Sequence, residues 1–226
     1  MNVTDRAALT RRGLLGAGGL VAAAAILPTH ASAALPAAPR TSPRVVRPEL
    51  MRRALAALQR HGARVQRDRM AIVDFDAASA EPRFHFVDLA SGASIAKLVA
   101  HGSGSDPAHT GFLHRFSNAN GSNASSEGAF LAADYYIGKH GRSQRLIGLD
   151  PTNSNALARA LVIHGAWYAN ADMIRTHGML GRSQGCFAVG ERELAEVFER
   201  LGPGRMIYAA KVSRASAAIT SRSRNP

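Results

Sequence analysis

The 226-residue sequence predicts a mainly β domain (α+β) with a few flanking helices. Three observations carry that expectation. Short apolar runs with strand-like patterning recur at Ala71-Ile72-Val73-Asp74-Phe75, at Arg83-Phe84-His85-Phe86-Val87-Asp88-Leu89, over 129–136 and over 205–211. Convincing helical spacing is confined to 49–64 and 191–201. The stretches between are rich in Gly, Ser and Asn, the residues of turns and loops. Hydrophobic residues make up 46% and charged residues 19%, a globular composition, and the length suits one domain behind a processed leader.

Residues 1–33 read as a targeting leader. Arg6, Arg11 and Arg12 form a basic front, an Ala/Gly/Leu-rich stretch runs from Leu14 to Leu27, and Ala31-Ser32-Ala33 offers a small-residue cleavage site. Paired arginines directly before the apolar run suggest the twin-arginine route, used for proteins exported already folded. An uncleaved membrane anchor is the alternative; the short apolar stretch and Pro28 at its end count against it. A periplasmic or cell-envelope location is expected, with membrane contact only through the leader. Residues 34–48 contain Pro36, Pro39, Pro43 and Pro48 and suit a disordered linker.

The folded domain is expected over 49–212. In its first helix Leu50, Ala54, Leu55 and Leu58 make the apolar stripe, and His61-Gly62 ends it. The strands at 71–75, 83–89 and 94–100 follow, the last two joined by a Ser91-Gly92 turn. Residues 101–128 are too long for a plain connector and suit a loop over a binding site. After the strand at 129–136, residues 155–159 suggest a short helix, and Ala160-Leu161-Val162-Ile163 runs as an apolar strand into His164-Gly165. A helical turn at 170–177, a Gly-rich loop at 179–190, the helix at 191–201 and a strand at 205–211 complete the domain; 213–226 reads as a flexible Ser/Arg tail.

Lys and Arg number 28 against 16 Asp and Glu, a net charge of +12. The arginines are scattered, without the clustered stripe or interleaved aromatics of a nucleic-acid binder, so no nucleic-acid partner is expected. Their excess serves either solubility or long-range attraction to an anionic polymer. Phosphate-cradling and dinucleotide motifs are absent. A single cysteine, Cys186, is unusual in an exported chain, because a lone thiol in an oxidising compartment invites oxidation. It is either a small buried hydrophobe or a reactive group.

Cys186 lies in Gly181-Arg182-Ser183-Gln184-Gly185-Cys186-Phe187, whose glycines let backbone N–H groups turn toward a ligand. His164, at the end of a buried strand, is placed to reach such a thiol and take its proton. The arrangement Ile163-His164-Gly165, seventeen residues, then Ser183-Gln184-Gly185-Cys186 resembles the signature of the L,D-transpeptidase (YkuD-type) catalytic family. The runs from Tyr136-Ile137-Gly138-Lys139-His140-Gly141 through His164-Gly165-Ala166-Trp167-Tyr168 resemble its murein L,D-transpeptidase-like subgroup, so the similarity spans roughly 70–210.

The resemblance implies a single β-rich catalytic domain and a cysteine acyltransferase acting on peptidoglycan stem peptides, without cofactor and as a monomer. Cys186 would be the acylated nucleophile, His164 its base, and the Gly165 carbonyl the group that orients the imidazole. Ser183 and Gly185 would shape the oxyanion loop. Gln184 departs from the pattern, standing where the familiar motif has a second histidine; its amide does not titrate as an imidazole does, but still donates a hydrogen bond. Arg182, Tyr136 and His140 are candidates for gripping stem carboxylates, with surface charge, core filling and a turn position as their respective structural alternatives. Water as acceptor would make a carboxypeptidase, and a non-catalytic murein-binding protein would keep the fold and owe Cys186 to packing.

Rival chemistries fail on order or context. Gly181-Arg182-Ser183-Gln184-Gly185 matches a nucleophile elbow, but that fold needs a histidine after the serine and the last one here is His177. Ser94-Ile95-Ala96-Lys97 matches Ser-x-x-Lys on a strand-like segment with no following Ser-x-Asn. His101, Asp106, His109 and His114 crowd one loop without the paired spacing of a zinc site, so no metal is expected.

Overall fold

A computed structural model describes residues 46–213. The leader at 1–33, most of the 34–48 linker and all but the first residue of the tail lie outside the described residues. Within them the chain forms one eight-stranded sheet flanked by three α-helices. The elements in order are α1 (Pro48–Arg60), β1 (Gln66–Asp74), β2 (Phe84–Asp88), β3 (Ser94–Lys97), β4 (Gly128–Gly138), β5 (Gly141–Gly148), β6 (Val162–Gly165), α2 (Asp172–His177), β7 (Phe187–Val189), α3 (Leu194–Leu201) and β8 (Arg205–Ala210).

Strands lie in the order β3-β2-β1-β8-β4-β5-β6-β7. β1–β8 and β6–β7 pair in parallel and the remaining neighbours antiparallel. Beyond β3 the chain runs on to bridge Ala100 with Ala188 and Gly102 with Ser183. That segment covers the outer side of β7, which would otherwise present an unpaired edge.

Because side chains alternate along a strand, the central strands feed two cores. Ala71 and Val73 of β1 and Ile207 and Ala209 of β8 point into the main core, where Phe75, Phe84, Phe130 and Phe187 are fully buried. Phe187 meets Phe75 and Phe130 edge-on, at centroid distances of 5.8 and 5.5 Å. Full burial of one such ring contributes about 1.5–3 kcal/mol. α3 closes this core with Val197, Phe198 and Leu201. Met70 and Ile72 of β1 and Met206 and Tyr208 of β8 point the other way, against Leu50, Met51, Ala54, Ala57 and Leu58 of α1.

Several boundaries differ from the sequence reading for physical reasons. The fold begins before the expected end of the linker: Val46 is buried against α1's core, and Arg47 pairs with Asp74 and Asp76 and donates to the Val212 carbonyl. α1 stops at Arg60, where His61 closes it onto Ala57. β5 had no sequence signal because Arg142, Ser143, Gln144 and Arg145 hide its alternation; it is a strand because β4 and β6 pair with it on both sides. β7, three residues long, sits within the expected Gly-rich loop. Residues 155–159 make no α-helix but a single turn, in which Leu161 N–H returns to the Ala156 carbonyl with Ala160 at φ +53°. No helix among the described residues is long and apolar enough to cross a membrane.

Candidate active site

β6 positions His164. Ile163 points into the main core, so alternation puts His164 on the opposite face of a strand bonded to β5 and β7, with Ser143 and Ala188 as its register partners. The residue is 1% exposed. Its Nδ1 lies 3.0 Å from the Gly165 carbonyl oxygen. A carbonyl only accepts, so Nδ1 carries the proton and Nε2 is left as the acceptor. Burial lowers the His164 pKa from its ordinary value; the Gly165 hydrogen bond opposes this, and charge on His140 or Lys139 adds to it.

The loop before β7 positions Cys186. Gly185 adopts φ +109°, and a Cβ there would stand 2.7 Å from the Ala124 carbonyl oxygen, so backbone conformation and space both require glycine. Ser183 clamps the loop: its hydroxyl accepts the Gly185 N–H at 3.1 Å and donates to the Cys186 carbonyl at 2.6 Å. The Ser183 N–H donates to the His101 carbonyl, and its own carbonyl accepts from Ser103. Behind it lies a buried polar cluster in which Arg83 donates to the Val99 and Ala77 carbonyls and to His101 Nδ1.

The Cys186 thiol donates to the Ala160 carbonyl, 3.7 Å away, rather than to His164. Burial pushes the thiol pKa up from its ordinary value, against hydrogen bonding from the Val162 and Cys186 backbone and the charges of Lys139 and Arg159. Both effects favour a neutral thiol beside a neutral imidazole over a preformed thiolate–imidazolium pair.

His164 and Cys186 line one cleft of about 580 Å³, together with Tyr136, Lys139, His140, Arg159, Tyr168, Arg182, Ser183 and Gln184. Among the described residues no carboxylate lines it and three cations do, so its field suits an anionic ligand. Two of the cations are committed to structure. Arg159 donates to the Ser117 and Ala124 carbonyls and to the Ser122 and Ser126 hydroxyls, stapling the 117–126 segment. Arg182, a candidate carboxylate grip, donates to the Asp106 and Pro107 carbonyls. Lys139 makes no ion pair among the described residues.

Of the remaining candidates, Tyr136 lies with its ring 4.0 Å from the Arg145 guanidinium. Gln184 is exposed at the cleft, and the His140 ring stacks on that of His164 at 4.1 Å. Lys139, Arg159 and Tyr168 were not among the sequence candidates. Lys139 and Tyr168 sit inside the motif runs, where adjacency to His140 and His164 was the available signal. Arg159 had none, since its loop partners are more than thirty residues away in sequence.

The profile of the L,D-transpeptidase catalytic domain matches residues 43–210. The chain belongs to that family.

Among solved structures, this L,D-transpeptidase-family chain is similar to an L,D-transpeptidase in complex with imipenem, at 12% identity over 63% of this chain and 59% of that one, TM-score 0.37. It is also similar to an L,D-transpeptidase from Stackebrandtia nassauensis, at 14% identity over 71% of this chain and 67% of that one, TM-score 0.39. The helical cell shape determining protein Pgp2 from Campylobacter jejuni aligns at 12% identity over 75% of this chain and 58% of that one, TM-score 0.42. The chain thus spans less than two thirds of the length of the first and third of these. No curated protein matches the sequence. Family membership rests on the 43–210 match. No group of three or more metal-binding side chains occurs among the described residues.

Proposed function

We propose that the chain is an exported cysteine acyltransferase, an L,D-transpeptidase that modifies peptidoglycan stem peptides through a thioester on Cys186. The observation that supports it most is the pairing in one cleft of Cys186 with a histidine whose Nδ1 is committed to Gly165, leaving Nε2 as the only basic nitrogen.

In this reading the thiol leaves the Ala160 carbonyl and passes its proton to His164 Nε2. The thiolate attacks the carbonyl of the diamino acid at the third stem position. His164 returns the proton to the departing D-alanine amine as the C–N bond breaks, and a thioester remains. An incoming amine then attacks the thioester, loses a proton to His164 and forms the new amide, and Cys186 is regenerated as thiol. Water in place of the amine gives a shortened stem, the carboxypeptidase outcome of the same first half. No step needs a metal or redox cofactor. A cleft that no carboxylate lines among the described residues suits a substrate that carries carboxylates, with Lys139 the cation available to meet one. Ser183 and Gly185 act in shaping the loop, since the Gly185 N–H goes to the Ser183 hydroxyl and that hydroxyl's own proton goes to the Cys186 carbonyl.

The test is incubation of the mature protein with purified muropeptides, read by mass spectrometry. New cross-linked dimers are expected. Tripeptides alone would assign water as the acceptor. No product, together with a Cys186 that a carbapenem fails to acylate in the folded protein, would sink the enzyme reading and leave a wall-binding protein.

A further inference from the structure

We propose that His140 is a positioning residue for His164, covering one face of the imidazole and holding the ring in the plane where Nδ1 meets the Gly165 carbonyl. The two rings stack with centroids 4.1 Å apart and planes 19° from parallel. The consequence for catalysis rests on the acyl-transfer reading above; the contact itself does not.

The place of His140 follows from the hairpin. β4 and β5 are joined at Lys139-His140, with Gly138 opposite Gly141. The Tyr136 ring packs so close over Gly138 that a Cβ there would come within 2.7 Å of it, and Lys139 and His140 beyond it line the cleft. His140 is itself exposed, while His164 beneath it is 1% exposed. One face of the base is therefore dry because a ring from another strand pair lies on it.

The geometry also says what His140 does not do. Ring nitrogens donate and accept in the ring plane, so two stacked imidazoles pass no proton to one another. His140 is thus no relay and does not replace the histidine for which Gln184 stands. Nor, among the described residues that line the cleft, is there a carboxylate to orient the base. The charged and titratable groups around it are Lys139 on the hairpin, Tyr136 on β4, Arg159 before β6, Tyr168 after it, and Arg182 and Cys186 on the loop before β7. The in-plane Gly165 carbonyl and the His140 face are the fixed contacts that set the orientation of the ring. Burial of the His164 ring lowers its pKa, and the partial shielding of the His140 ring that lies on it, with the Lys139 charge, lowers that of His140, so at neutral pH the stack favours two uncharged rings.

The experiment compares the full chain with His140→Ala and His140→Phe, folding being checked by circular dichroism. The His164 ring is titrated by NMR, and Cys186 alkylation by iodoacetamide is followed against pH. With the cover gone, His140→Ala moves the His164 titration and the acid limb of alkylation to higher pH and slows alkylation at neutral pH by about 10–100-fold. His140→Phe, a flat ring with no nitrogen, restores both. A His164 titration in His140→Ala identical to wild type overturns the proposal, as does a His140→Phe that stays as impaired as His140→Ala. If Cys186 is inert in the wild type, the acyl-transfer reading fails while the NMR titration still decides the positioning role. If His140→Ala does not fold, His140→Gln, which keeps a polar chain but no ring, takes its place with the same expectations.

Discussion

Cys186 rests with its thiol on the main-chain carbonyl of Ala160, and Ala160 presents that carbonyl from the left-handed region at φ +53°. A side-chain-bearing residue there costs energy that glycine does not. Ala160→Gly is therefore expected to stabilise the protein by about 0.5–1 kcal/mol, seen as a higher midpoint in thermal denaturation. A lowered midpoint would mean that Cβ contacts outweigh the backbone strain.

The thiol and the imidazole make separable contributions. Cys186→Ser is expected to abolish carbapenem adducts in intact-mass spectra, and His164→Ala to slow their formation by about 10²–10⁴-fold at neutral pH. Because burial raises the thiol pKa, the neutral form persists to higher pH than in an ordinary cysteine. Without its base, the His164→Ala protein should label half-maximally only above the usual thiol range. Labelling that saturates near neutrality in that variant would contradict the neutral resting thiol.

Two glycines with positive φ test whether the Cys186 loop is specified by space or by backbone conformation alone. Gly141 at φ +69° has nothing among the described residues within 4 Å of an added Cβ, so Gly141→Ala should cost about 1 kcal/mol. Gly185→Ala must also drive a methyl against the Ala124 carbonyl, and should cost more and suppress Cys186 labelling. Equal denaturation midpoints for the two variants would count against the crowding.

Buried histidine predicts acid lability. Burial, followed by the Arg83 charge, lowers the His101 pKa to about 3. Below an unfolded-state pKa of about 6.5 the unfolded chain binds a proton that the folded one refuses, so stability is full above that pH and falls as pH drops toward about 3. His85, His140 and His164 are lowered in the same direction. Denaturant midpoints measured between pH 7 and pH 4 should decline steadily; a flat profile would refute neutral burial of His101.

The cations of the cleft should divide by their commitments. Lys139→Ala is expected to raise KM for a carboxylate-bearing stem peptide by about 3–10-fold with a smaller change in kcat and little loss of stability. Arg182→Ala removes donors from the Asp106 and Pro107 carbonyls and should lower the thermal midpoint as well. A Lys139→Ala with unchanged KM would remove it from substrate binding.

The sequence by itself determined the mainly β fold class, the buried strand ending at His164, the lone Cys186 on a glycine-bearing loop, and the family resemblance. These are legible because each is written locally, in alternation, in glycine placement, or in the spacing of a motif along one chain. Tertiary structure alone decided that β5 is a strand, that 46–48 belong to the fold, and that the sheet order brings β6 beside β7. It also set what the cleft residues touch: the thiol against Ala160, Arg159 and Arg182 on loop carbonyls, Lys139 without an ion pair among the described residues, His140 flat on His164. None of these contacts has a sequence signature, because each joins segments distant along the chain or turns on a side-chain direction that only packing fixes.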